Sequence, residues 1–477
     1  MGKDPAKGWS AFGGKIILIL GIATIFRLVN LNQSLWLDEG AQVLMSSKSL
    51  SFQWFGRTTG EFHPPLFYIL IHFWLNLGKS EWFLRLPSVI FGVATVYFAF
   101  LVGKRLFNEK LGILSAFFLA IAPYHVYYSQ ELRMYSLTAF LATASTFFLL
   151  EKKWFFYFLT ITALLYTHYL GAFVVFFHAI WILFFQRQVF KQWFYSIVFS
   201  FLVFLPWLSQ FFKQFKSGIN LVEILPGWAA VSSLAPAKAF PLTFIKFSLG
   251  RISFYNKTFY AAISAIIFLI YGFLFYQTFK RIQKQGLFLW GWLLIPLFLG
   301  FITSFFIPLF QPFRFLFAIV PFYLLLALGI LALKKSWQKI FVGIVIFISL
   351  SSLFLYFSQA RFQREDWRGV TRFIESQDPK ESVAIFEFSE PFAPYQWYSQ
   401  GKVKAYGVLP GLKAIPEVVE SKMPEVTAEA DNIFLFQYLQ PLTDPERLVE
   451  GWLQKNGFEE KGIKDFSGVG FVYNYIR

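Results

Sequence analysis

Nine apolar runs fill the first 360 residues of this chain, near 15–30, 84–103, 111–128, 134–150, 193–212, 258–279, 287–309, 313–333 and 338–357. About 20 apolar residues span a hydrocarbon core of about 30 Å as a helix, and a helix satisfies its own backbone in lipid. The chain has 477 residues, is 56% hydrophobic and 15% charged, and contains 66 Phe. That balance excludes an ordinary soluble enzyme and leaves a polytopic α-helical membrane protein. Several runs are shorter than about 20 residues and need tilt or flanking aromatic residues to complete a crossing.

Charge orders the crossings. The net charge is +16, yet residues 361–477 carry 14 Lys/Arg against 18 Asp/Glu, so the first 360 hold 29 basic and nine acidic groups. Such an excess in a membrane region marks cytoplasmic loop anchors, not nucleic-acid binding. The stretch HPPLFYILIHFWLNLG, 63–78, is ambiguous. If it crossed, Lys104, Arg105, Lys110, Lys152 and Lys153 would face outward. If it lies in the membrane plane, these fall inside with Arg187, Lys191, Lys280, Arg281, Lys284, Lys334, Lys335 and Lys339, as the positive-inside rule favours. Residues 154–185 are basic at both flanks and so cross an even number of times, as a hairpin with an outer tip at Thr167–Gly171.

The expected architecture has about eleven transmembrane helices, the N-terminus inside and the C-terminus outside. The basic N-terminal segment leads into a retained first helix, not a cleaved signal peptide. One misfit is the outer loop 213–257, whose six Lys/Arg mean either an anion-facing surface or a wrong topology there. Cysteine is absent, which rules out disulfides and thiolate metal sites. Composition shifts after Tyr356. The runs SVAIFEF, VKAYGVL, NIFLFQY and GVGFVYNYI read as strands, and DPERLVEGWLQKNGF as a helix with Asp444 near its start. The chain therefore divides into a membrane domain, 1–360, and a small extracytoplasmic soluble α/β domain, 361–477.

Carboxylates are scarce in the membrane domain, so the adjacent Asp38 and Glu39 of WLDEG stand out at the end of the first apolar run. Acids at a membrane boundary point to catalysis, metal binding or ion coupling, or else to a solvated loop. The topology sets them on the same outer side as Glu61 and His63, as Glu81 and Arg85, and as His125, Gln130, Glu131 and Arg133 of YHVYYSQELRMYS. His168 and Tyr169 at the hairpin tip, and Arg314 of LFQPFRFLF, join that side.

Carboxylates beside arginines match the needs of glycosyl transfer from a lipid phosphate. A carboxylate takes the acceptor hydroxyl's proton, and arginine or a metal stabilises the departing phosphate. Each residue also has a structural reading. Arg133 and Arg314 can snorkel as anchors. Glu131 can pair with Arg133, His63 can cap a helix, and His168 with Tyr169 can satisfy a buried tip.

The ordered set WLDEG, FHPPLFYIL, FLRLPSVIFG, GKRLF, YHVYYSQELRMYSL, PFRFLF and EDWRGV resembles the GT-C membrane glycosyltransferases over about residues 15–370. Within them it is most similar to the branch of protein O-mannosyltransferases and aminoarabinose (lipid A) transferases. The resemblance implies in-plane helices in the first outer loop, a polyprenyl-phosphate sugar donor and inversion at the anomeric carbon. It implies Asp38 as base or acceptor-orienting group with Glu39 as its partner. Arg133, Arg314 and Arg85 become donor-phosphate contacts, and Glu131, Gln130, His63, Tyr128, His168 and Tyr169 secondary polar or substrate contacts. It leaves open a divalent metal (Mg, Mn or Zn) on Glu39, Glu61, His63 and Glu131.

The expected partners are the lipid-linked donor, the bilayer, and a glycolipid, polysaccharide or protein acceptor, with no nucleic acid. The expected place is the cytoplasmic membrane. A lipid-linked sugar flippase is the alternative and would show internal repeats and charges at mid-membrane depth. A non-catalytic envelope scaffold would have lost the acid pair.

Overall fold

The computed structural model describes residues 5–56, 62–224, 226–280, 283–377 and 381–477. The chain forms two compact units, one of Met1–Leu31 with Ser49–Ser358, the other of Asn32–Lys48 with Gln359–Arg477. The expected boundary at 360 lies beside the observed one. The grouping of Asn32–Lys48, and so of Asp38 and Glu39, with the C-terminal unit has no counterpart in the sequence division.

The first unit is a bundle of apolar helices. Among the described residues six are long and apolar enough to cross a bilayer: Glu81–Leu106, Arg187–Asn220, Lys257–Phe279, Lys284–Thr303, Pro312–Leu331 and Lys335–Ser358. Glu109–Ala120 and Pro123–Ser129 pass the same test together, bent by 63° at the break, and make a seventh if the pair is one span rather than a re-entrant loop. Tyr135–Leu150, Trp154–Leu165 and Gly171–Phe185 are shorter apolar helices, and Pro5–Leu28 opens the unit. The segment 63–78 forms only the nine-residue helix Leu66–Trp74. That helix rises roughly 14 Å, too little to cross by itself. Residues 154–185 form two helices that break at Tyr166–Leu170, where the hairpin tip is expected.

Two local causes shape this bundle. Gly103 and Gly112 let helices Glu81–Leu106 and Glu109–Ala120 touch, since a Cβ on Gly112 would stand 2.5 Å from the Phe100 carbonyl. Small residues at a crossing permit such backbone approach. The 63° bend begins at Pro123, which has no N–H to donate and disfavours helix at the preceding residue; Ala122 is extended. Beside the bend lies the buried Arg27, whose Nη1 donates to Ala120 O at 3.0 Å and Nη2 to Leu119 O at 3.4 Å. A cation among apolar helices is tolerated when its terminal nitrogens are hydrogen-bonded in this way.

The C-terminal unit is an α/β fold around a mixed sheet of β1 (Ser382–Phe386), β2 (Lys404–Gly407), β3 (Asn432–Phe436), β4 (Glu459–Phe466) and β5 (Gly470–Ile476). The order is β2-β1-β3-β5-β4, with β1 parallel to β2 and β3, and β5 antiparallel to β3 and β4. The four expected strands are present, and β4 is an addition. Alternation sends Val383, Ile385, Ile433 and Leu435 to one core with Met423 and Leu453. Ala384, Phe386, Phe434 and Phe436 face the other, with Trp367, Phe392 and Tyr395. Both faces are covered, which is why SVAIF and NIFLF read as continuous apolar runs. Leu37, the residue before Asp38, packs against the Trp367 core.

Candidate functional site

The membrane unit gathers a row of rings with arginines beside it. His63 and His168 stand 5.5 Å apart, and Tyr135 lies 6.4 Å from His168. Phe313 is 5.1 Å from Tyr135 and 5.8 Å from Tyr128, stacked on the latter. Arg314 lies 5.7 Å from the Phe313 ring and donates to Leu309 O at 3.0 Å. Arg133 is buried. Burial, then the charges of His63, Arg314 and Arg133, push the His168 imidazole well below its ordinary range, so it is neutral at pH 7. Its Nδ1 accepts from the Leu170 amide at 3.2 Å, which places the proton on Nε2. That N–H is buried and has no hydrogen-bond partner among the described residues. Two guanidiniums and an idle N–H beside aromatic faces can receive an anion and a sugar together.

The other candidates in this unit do different work. Gln130 Nε2 donates to Val29 O at 2.5 Å and Arg27 O at 3.2 Å, and its Oε1 accepts from Tyr356 at 3.0 Å. It ties down the end of the first helix. Arg85 is buried and donates to Leu31 O at 2.7 Å, holding the chain just before WLDEG. Tyr169 donates to Gln214 at 2.5 Å and accepts from Trp207 Nε1 at 2.9 Å, fixing the hairpin tip to helix Leu208–Ile224. Glu131 is buried, and its charge acts on Tyr124 and Tyr128.

In the C-terminal unit the acid pair opens helix Leu37–Ser47. Asp38 is half-buried, whereas Glu39 is fully buried and its Oε2 accepts from the Trp36 amide at 3.4 Å. Carboxylates in a first turn also meet the positive end of the helix dipole. The motif's glycine has a steric cause, since a Cβ on Gly40 would lie 2.5 Å from Pro394 N and 2.7 Å from its Cα. The lead-in is stitched down residue by residue. Arg364 N donates to Gln33 at 2.7 Å, Arg368 N to Ser34 at 3.0 Å, and Leu35 N to Tyr398 at 2.8 Å.

Residues 62–209 match the family model described as dolichyl-phosphate-mannose-protein mannosyltransferase. Among solved structures the chain is similar to ArnT from Cupriavidus metallidurans in the apo state, with 12% identity, TM-score 0.62, and 99% of this chain and 98% of that one covered. The chain has the GT-C glycosyltransferase fold. ArnT bound to undecaprenyl phosphate matches similarly, with 10% identity, TM-score 0.61, and coverage of 97% and 98%. The Archaeoglobus fulgidus oligosaccharyltransferase in complex with Zn and sulfate follows at 13% identity and TM-score 0.53, covering 96% of this chain and 73% of that one. No curated protein matches the sequence. Fold and family region agree with the resemblance carried by the ordered motifs.

Two cations of this chain were not singled out in the sequence. Arg251 donates to the Tyr127 hydroxyl at 2.6 Å and lies 4.8 Å from that ring, which is 5.0 Å from Tyr128. Lys246 on helix Pro236–Leu249 is pushed down to about 8 by burial and then by Arg251. Both belong to loop 213–257, whose basic excess was the available signal. For a metal, Glu61 lies outside the described residues. Among the described residues no three His, Cys, Asp or Glu side chains gather as a metal-holding group.

Proposed function

We propose that the protein is an inverting glycosyltransferase that moves a sugar from a polyprenyl-phosphate donor to an acceptor hydroxyl on the outer face of the cytoplasmic membrane. The reading takes eleven crossings, with Leu66–Trp74 in the membrane plane, the N-terminus inside and the C-terminal unit outside. Arg133 and Arg314 hold the donor phosphate, and the His168 N–H donates to a phosphate or sugar oxygen. Tyr128, Tyr135 and Phe313 offer faces for the sugar. Arg251 and Lys246 extend the cationic lining.

Asp38 takes the proton of the acceptor hydroxyl as its oxygen attacks the anomeric carbon. The bond from that carbon to the phosphate oxygen breaks on the opposite side, which inverts the configuration. The electron pair leaves with the polyprenyl phosphate, whose charge the arginines meet. Glu39, turned back to the Trp36 amide, shapes the turn that presents Asp38. The observation that carries the proposal is the gathering of Arg133, Arg314 and the His168 N–H, which has no partner among the described residues, around one row of rings.

The test is transfer of labelled sugar from polyprenyl phosphate in membranes carrying Asp38→Asn. The expected loss is about 10²–10⁴-fold. Wild-type transfer by the folded variant would remove Asp38 from the base role. Movement of lipid-linked sugar across vesicles without any transfer would favour the flippase. A divalent ion is not part of the proposed chemistry. Loss of transfer on chelation, restored by Mg, Mn or Zn, would add one and bring Glu61 and His63 into it.

A further inference from the structure

Glu365, at the start of EDWRGV, reaches the acid helix from the other end of the sequence. Its Oε2 accepts from the Leu37 amide at 3.2 Å and from Trp367 Nε1 at 2.7 Å. Its Oε1 accepts from the Tyr438 hydroxyl at 2.9 Å. Trp367 is fully buried, and Tyr438 packs on the same core, with the two rings 5.0 Å apart. The carboxylate is thus fixed by two anchored aromatic donors before it meets the helix. The third donor, Leu37 N, belongs to the first residue of helix Leu37–Ser47 and adjoins Asp38. First-turn amides have no partner within their own helix and need one from outside. The Gly468 backbone closes the other side, where a Cβ would stand 3.0 Å from Glu365 Cα. Burial, offset by these hydrogen bonds, and the Asp38 charge raise the Glu365 carboxyl above its ordinary range, which also places Asp38 close by.

We propose that Glu365 is a positioning residue for Asp38. Its carboxylate, held by Trp367 and Tyr438, receives the Leu37 amide and sets where the acid helix starts. The C-terminal unit thereby has a part in the reaction other than acceptor choice. This rests on the reading of Asp38 as the acceptor-side base. A misplacement of about 1 Å at a reacting group can cost about 100-fold.

The experiment uses the full-length protein in lipid nanodiscs, with Glu365→Ala and Glu365→Asp. Two readouts are taken, steady-state transfer and amide hydrogen exchange. Glu365→Ala should lower kcat by about 10- to 100-fold while the donor KM stays within about twofold, because phosphate binding is untouched. Exchange at Leu37–Glu39 should rise by about tenfold or more, with Ile385 and Leu435 in the sheet still protected. Glu365→Asp should recover part of both. Wild-type kcat in Glu365→Ala with the sheet protected would overturn the proposal. So would unchanged exchange at Leu37–Glu39. If Asp38→Asn proves active, the base reading falls, and the exchange result decides the Glu365 clamp by itself.

Discussion

The two units hold charge in opposite ways. In the membrane unit cations are lodged among rings and backbone carbonyls: Arg27 at Ala120 O, Arg314 at Leu309 O, Arg251 on Tyr127. In the C-terminal unit carboxylates are lodged on backbone amides and aromatic donors: Glu39 at Trp36 N, Glu365 at Leu37 N, Trp367 and Tyr438. Each environment suits one half of the proposed chemistry. Carbonyls and π faces hold a guanidinium in place with its charge intact for an anion. Amide donors keep a carboxylate fixed and able to accept a proton. In the proposed reaction, anion binding and proton handling are thus built by separate cores, and each can be damaged by itself.

The largest effect that would break this comparison is on the cation side. Arg314→Ala and Arg133→Ala should each lower kcat/KM for donor by about 10²–10³-fold, the usual loss for one donor to a developing negative charge. Inhibition by free polyprenyl phosphate should weaken in parallel. Hydrogen exchange at Leu37–Glu39 should stay as in the wild type. A change there would show that the two kinds of damage are not separable.

On the carboxylate side, Gly40→Ala forces a methyl against the Pro394 backbone, where a Cβ would have only 2.5 Å. Neither helix Leu37–Ser47 nor helix Ala393–Tyr398 can yield by rotating a side chain. The expected cost is about 1–3 kcal/mol to the C-terminal unit. Chemical denaturation followed by exchange of the β1 and β3 amides measures it. Donor binding should be unaffected.

Much of the fold was legible because it follows from local rules. Apolar length marked the helices, the basic flanks of 154–185 marked the hairpin, and apolar β runs marked four strands. The fifth, EEKGIKDF, escaped because an edge strand that leaves Ile463 about half exposed looks like a charged loop. Asp38, Glu39, Arg133 and Arg314 were legible as residue types in ordered motifs. The Glu365 clamp was not, because Leu37 and Glu365 are 328 residues apart and no local pattern encodes that contact. Arg27 escaped because a single cation inside an apolar run gives no sign of the broken helix it mends.

A smaller effect concerns protons held inside the C-terminal unit. Glu387 follows β1, is buried, and lies beside Asp444, which caps helix Leu448–Lys455 through Val449 N at 3.0 Å. Burial and then the Asp444 charge push the Glu387 carboxyl up to about 9. Its unfolded value is about 4.3, so the folded state binds the extra proton between those values. The stability from this group is full below about pH 4.3, falls as pH rises, and is gone above about 9. Glu387→Gln cannot ionise and should flatten that slope, which is at most about 1.4 kcal/mol per pH unit. Denaturation midpoints at pH 6 to 9 check it. A parallel slope in the variant would assign the pH dependence to another group. No matching change is expected in the membrane unit.

The last comparison is between the two tyrosines at either end of the lead-in to WLDEG, the second of which gives the smallest effect. Tyr398 accepts the Leu35 amide at 2.8 Å, and Leu35 is fully buried. Tyr398→Phe leaves that N–H without its acceptor, which costs about 1–3 kcal/mol for a buried donor. Tyr356 donates to Gln130 Oε1 at 3.0 Å, but Gln130 keeps its Nε2 bonds to Val29 and Arg27 when that hydroxyl is removed. Tyr356→Phe should therefore cost about 0.5–1.5 kcal/mol. Exchange should rise at Leu35 in the first variant and at the end of the first helix in the second, with no crossover. Equal exchange changes at both places in either variant would mean that residues 29–35 respond as one segment. The acid's support would then belong to both cores, and the division between them would hold for the charges alone.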